Sequence, residues 1–135
     1  MTTPSAKSVI ERAVTATHSM RPDALSRSPR PAAIETIDDK RVFDDGVHKV
    51  ELYRFASPHA GEMIVAYLPL QKILFEADML DIPDAGSPVA GEDTVDLANQ
   101  IEKLGLQVET LIPVHGKIGT ISDLKTAIAT KISKK

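Results

Sequence analysis

Pro58-His59-Ala60-Gly61-Glu62-Met63-Ile64-Val65-Ala66-Tyr67-Leu68-Pro69-Leu70-Gln71-Lys72-Ile73-Leu74-Phe75-Glu76-Ala77-Asp78 is the stretch that decides the fold. Two apolar runs, Met63 to Leu68 and Ile73 to Ala77, flank the tight connection Pro69-Leu70-Gln71-Lys72. Neither run alternates with polar residues, so both are predicted to be central strands covered on both faces. A connection this short makes the pair antiparallel, which brings the end of the second strand back to the start of the first. His59 enters the first strand and Asp78 leaves the second, so both are expected at one edge of a sheet. Histidine and carboxylate at strand ends are the donors of a nitrogen/oxygen metal site. Pro113-Val114-His115-Gly116 echoes the pattern, with a histidine at a strand end and a glycine that lets another group approach closely.

On the C-terminal side, Met79 to Gly91 is a loop rich in Asp, Pro and Gly, long for a plain connection and of the kind that flanks functional sites. Val95, Ala98, Ile101 and Leu104 mark a helix that Gly105 ends. Val108 to Val114 reads as another apolar strand. Thr120 or Ser122 caps a last helix with Ile121, Leu124, Ile128 and Ile132 on one face, and Lys131, Lys134 and Lys135 suit its C-terminal end.

On the N-terminal side, Val47 to Phe55 alternates, with Val50 and Leu52 on one face and Lys49 and Glu51 on a wet face. Asp44-Asp45-Gly46 signals a hairpin that joins this strand to Arg41 to Phe43. Ile34 to Ile37 is a further short strand. Arg21 to Ala32 is a proline-rich loop with one turn of helix at Pro22-Asp23-Ala24-Leu25. Val9, Ile10, Ala13 and Val14 recur at helical spacing, so an amphipathic helix is expected from about Pro4 to Thr17, with Thr3 as its cap and Pro4 in its first turn.

The chain of 135 residues suffices for one domain with a real core, and a single domain over residues 1–135 is the expectation. A net charge of −3 and an aromatic content of 4% give no surface for nucleic acid and no attraction to an anionic membrane. No apolar run approaches a bilayer span. Without a secretory pattern at Met1-Thr2-Thr3-Pro4-Ser5, the expected location is cytoplasmic. There is no cysteine, so a metal would have to be held by histidine and carboxylate. The fold class that follows is α/β, a mixed β-sheet with helices packed on one side.

Four histidines remain to be weighed. His18, at a helix end among polar residues, and His48, beside a turn, read as solvated or structural. His59, Asp78 and His115 each have a bland reading as well, the aspartate as a turn cap. Together, at strand ends that converge on one sheet edge, they read as a site. Glu76 points to the same side as Asp78 and is its rival.

These residues also resemble the C-terminal half of the metallo-β-lactamase-fold superfamily. The likeness is carried by Pro58-His59-Ala60-Gly61, the hairpin strands, Phe75-Glu76-Ala77-Asp78 and Ile112-Pro113-Val114-His115-Gly116 before a helix. The resemblance implies half of an αββα sandwich and a hydrolase of small molecules using one or two zinc ions. It matches His59 to a ligand of the first metal, Asp78 to the bridging aspartate and His115 to a ligand of the second. The family's His-x-His-x-Asp-His signature is missing from these residues. The chain is therefore expected to be a fragment or truncated form with an incomplete metal site, inactive by itself. The alternative is a non-catalytic dimerising α/β module. With half a sandwich, one sheet face is left wet (Met63, Val65, Tyr67, Ile73 and Phe75, or the alternate set), which predicts a homodimer or a partner chain that supplies the missing N-terminal half.

Overall fold

In a computed structural model the described residues are 1–16 and 20–132, the last by its backbone alone. His18, Lys134 and Lys135 lie outside them. The chain divides into two compact units, Met1–Asp38 and Asp39–Lys135.

In the first unit, Thr3 starts a turn by accepting the Ala6 amide at 3.4 Å, and helix α1 runs only over Lys7–Thr15. The expected start at Pro4 is displaced because residues 4–6 form turns rather than helix. Asp23 caps the four-residue helix α2 (Ala24–Arg27) by accepting the Ser26 amide at 2.7 Å. The strand expected at Ile34 to Ile37 is reduced to one parallel bridge between Thr2 and Thr36.

The second unit starts from an aspartate-built turn. Asp44 accepts the Gly46 amide at 2.9 Å, and Asp45 accepts those of Val47 and His48 at 2.9 and 2.6 Å. Gly46 takes the φ of +87° that the turn demands. His48 folds back on Asp45, Nδ1 to Oδ2 at 3.2 Å, and is structural. The turn joins β1 (Lys40–Asp44) to β2 (Lys49–Ser57), and β3 (Gly61–Leu68), β4 (Ile73–Glu76), β5 (Thr110–Pro113) and β6 (Gly119–Thr120) follow in spatial order. Every neighbour pair is antiparallel except β4 and β5, which are parallel. A parallel pair needs a crossover, supplied by α3 (Glu92–Lys103). Gly105, at φ +64°, ends α3 with the Leu106 amide on the Ile101 carbonyl and its own amide on Glu102. Helix α4 (Ile121–Ile132) is capped reciprocally by Thr120 and Asp123. β5 is shorter than expected and β6 was not foreseen, because two residues are too few for a periodicity signal.

The register settles which face is covered. Tyr53, Phe55, Val65, Tyr67, Leu74 and Leu111 point to one side and form a single core with Leu97 and Ile101 of α3 and Leu124 and Ala127 of α4. On the opposite side Leu52, Ala66, Phe75 and Ile112 line up in register across four strands. Leu52, Ala66 and Ile112 are half-buried, whereas Phe75 is exposed, at 40%. The expected wet set is thus split: Met63, Val65 and Tyr67 face the helices, whereas Ile73 and Phe75 stand with Ile64, Ala66 and Leu68 on the other face. The wet face expected for Glu51 is also corrected. Tyr53 and Phe55 carry more apolar area than Val50 and Leu52, so the period of two turns Glu51 inward. Its carboxylate is satisfied there by the Tyr53 hydroxyl at 2.6 Å and Lys40 Nζ at 2.9 Å. Among the described residues no helix is long and apolar enough to cross a membrane.

Candidate functional site

The parallel pairing of β4 with β5 sets Glu76 opposite Pro113, and the ladder continues one step further with the Val114 amide on the Glu76 carbonyl at 3.1 Å. Both chains leave the sheet side by side. Asp78 follows two residues after Glu76 and His115 two after Pro113. Asp78 Oδ1 and His115 Nε2 meet at 3.0 Å, with both side chains open to solvent. Asp78 stands at φ +63°, a conformation that aspartate tolerates better than most residues. The contact is an ion pair whenever the imidazole is protonated.

Beneath the pair lies Glu76, only 3% exposed. Its Oε2 accepts the Met79 amide at 2.9 Å, across the Asp78 turn. Its Oε1 has no hydrogen-bond partner among the described residues. Burial raises its carboxyl from 4.5 to about 7, with the Met79 and Leu80 amides pulling the other way. The following loop is pinned to α3, where the Thr94 hydroxyl donates to the Met79 carbonyl at 2.8 Å and accepts the Gly91 amide at 2.9 Å.

Gly116 does what a glycine after His115 suggests. The group that approaches is the Ile82 carbonyl, which also accepts the Lys117 amide at 2.9 Å. A Cβ on Gly116 would sit 2.4 Å from that oxygen, and φ there is +80°. The loop Met79 to Gly91 is thereby fastened beside the histidine.

His59 is held separately. It lies in the turn between β2 and β3, at the sheet edge where β4 ends, and is exposed. Asp93 Oδ1 accepts the Ser57 hydroxyl at 2.7 Å and the His59 amide at 3.4 Å. Gln100 accepts the Ala56 amide at 2.7 Å and donates to the Ala56 carbonyl at 2.9 Å, taking the place β1 vacates on that edge of β2. The turn is tied to α3. Among the described residues no group of three or more His, Asp or Glu side chains could hold a metal ion. A catalytic zinc needs three protein ligands, so the donors assembled in these residues do not fit a complete centre. Of the three residues singled out in the sequence, the structure joins two. Asp93 and Gln100 escaped sequence reading because polar residues on a helix carry no sign of what they reach.

No family model matches the chain, and no curated protein matches it. Solved structures do. A metallo-β-lactamase from Pontibacter korlensis matches with a TM-score of 0.55 at 21% identity, over 78% of this chain and 51% of that one. The chain carries part of the metallo-β-lactamase fold. An archaeal metallo-β-lactamase superfamily protein from Sulfolobus tokodaii matches with a TM-score of 0.54 at 15% identity, over 96% of this chain and 52% of the other. Rubredoxin oxygen:oxidoreductase from Desulfovibrio gigas matches with 0.59 at 13% identity, over 98% and 36%. The mixed sheet with helices on one side is therefore shared with metallo-β-lactamase-fold proteins, and the chain spans about half the length of the first structures it matches.

Proposed function

We propose that these residues form one wall of a zinc-dependent hydrolase centre of the metallo-β-lactamase type, cytoplasmic and acting on a small molecule. Asp78 and His115 are its ligand pair, His59 adds a donor from the neighbouring turn, and the remaining ligands come from outside these residues. The observation that carries the reading is the 3.0 Å approach of Asp78 to His115 at the ends of two parallel strands, on this fold. Zinc suits the donor types, imidazole nitrogen and carboxylate oxygen. The ladder Leu52, Ala66, Phe75 and Ile112 supports association through the sheet, with a second copy or with a chain that supplies the missing ligands. A second reading, a dimerising module without catalysis, is kept because among the described residues no three donors are gathered at one point.

Native mass spectrometry with added zinc separates the two. The first reading expects metal uptake that Asp78→Ala or His115→Ala removes. Uptake that is nil in the wild type, or indifferent to both substitutions, leaves the second.

A further inference from the structure

Among the described residues Glu76 is the buried ionisable side chain next to the pair, and it holds the backbone beside both partners. Its carbonyl takes the Val114 amide, the residue before His115, at 3.1 Å. Its carboxyl takes the Met79 amide, the residue after Asp78, at 2.9 Å. Between those two anchors the backbone of Asp78 is bent to φ +63°. A left-handed non-glycine residue persists only where its surroundings over-determine it. The surroundings here are two contacts to Met79, the Glu76 carboxyl on its amide and the Thr94 hydroxyl, from the start of α3, on its carbonyl. A glutamate with one oxygen unpartnered among the described residues is an expensive turn cap, since an unsatisfied buried polar atom opposes folding. A serine or threonine could cap a turn without that cost.

We infer that Glu76 is a positioning residue, whose carboxyl oxygen locks Asp78 in its left-handed conformation while its backbone sets His115 alongside. The inference rests on the reading of Asp78 and His115 as the site, but its test needs no metal.

The test is NMR on the full chain, wild type against Glu76→Leu and Glu76→Gln. Leucine has a similar volume and no acceptor, whereas glutamine keeps one. In the wild type, Asp78 gives the strong amide-to-Hα Overhauser signal of a positive φ, and the Met79 amide exchanges slowly although it lies outside a strand. In Glu76→Leu the Asp78 signal falls several-fold and the His115 imidazole nitrogen loses the shift of its carboxylate contact. Glu76→Gln restores both. Retention of both signatures in Glu76→Leu overturns the inference, as does their loss in Glu76→Gln. If the leucine variant does not fold, the wild type decides alone: a Met79 amide exchanging as fast as a free loop amide overturns it. A wild type that binds no zinc yet passes these tests defeats the metal reading and leaves the positioning role standing.

Discussion

Asp78 Oδ1 and His115 Nε2 lie 3.0 Å apart although a long loop, helix α3 and strand β5 separate them in the chain. Both are substantially exposed, so their mutual attraction contributes little to stability. Asp78→Asn keeps a residue that tolerates the left-handed backbone. It should shift thermal stability by no more than about 1 kcal/mol. The same substitution, and His115→Ala, should weaken zinc binding by about tenfold or more, measured by competition with a chelating dye. A loss of stability with unchanged zinc binding would reverse the assignment.

The buried Glu76 makes stability depend on pH in a defined direction. Its folded carboxyl titrates at about 7, above the ordinary 4.5, so the native state holds this proton more tightly than the unfolded chain. The contribution is complete below about 4.5, declines as pH rises towards 7, and is gone above it. Its size is on the order of 3 kcal/mol. Urea unfolding of the metal-free protein at pH 5 and pH 8 should show it, and Glu76→Gln should flatten the slope. Parallel profiles for the two proteins would refute the prediction.

Gly116 carries two constraints together, a φ of +80° and a carbonyl 2.4 Å from where a Cβ would stand. Gly116→Ala should cost about 2–4 kcal/mol. Gly86 shares the left-handed backbone, at φ +97°, but faces open space. Gly86→Ala should cost only about 1 kcal/mol. Calorimetry on the two variants tests the difference, and equal costs would show that the Ile82 contact is not what matters.

Phe75 lies at the centre of the apolar ladder on the sheet face away from α3 and α4, between Ala66 and Ile112. Phe75→Asp should move the chain towards monomer in sedimentation velocity, while Val42→Asp on the outer strand β1 should not. A wild type that stays monomeric at high concentration, and stays so beside a complementary half, would remove the partner prediction.

Much of this architecture could be read in advance from local pattern. The doubly apolar runs, the Asp-Asp-Gly turn and the glycine after α3 are local signals, because a strand's period of two and a positive φ leave marks within a few residues. His59, Asp78 and His115 were legible as candidates for the same reason, each being a polar residue at the end of an apolar run. Register was not legible. A shift of one residue exchanges the faces of a whole strand. Only the pairing of Tyr67 with Leu74 and of Ala66 with Phe75 shows which set meets the helices, and it turns Glu51 inward against expectation.

By itself the sequence determined the mixed sheet, the order of its longer strands and of helices α3 and α4, and the residue types available to a metal. The tertiary structure alone decided that Asp78 meets His115, that the backbone at His59 is tied to Asp93, and that Glu76 lies beneath the pair. The reason is physical. Which strand ends touch depends on the parallel crossover through α3 and on hydrogen bonds between residues far apart in the chain, and no local periodicity encodes either.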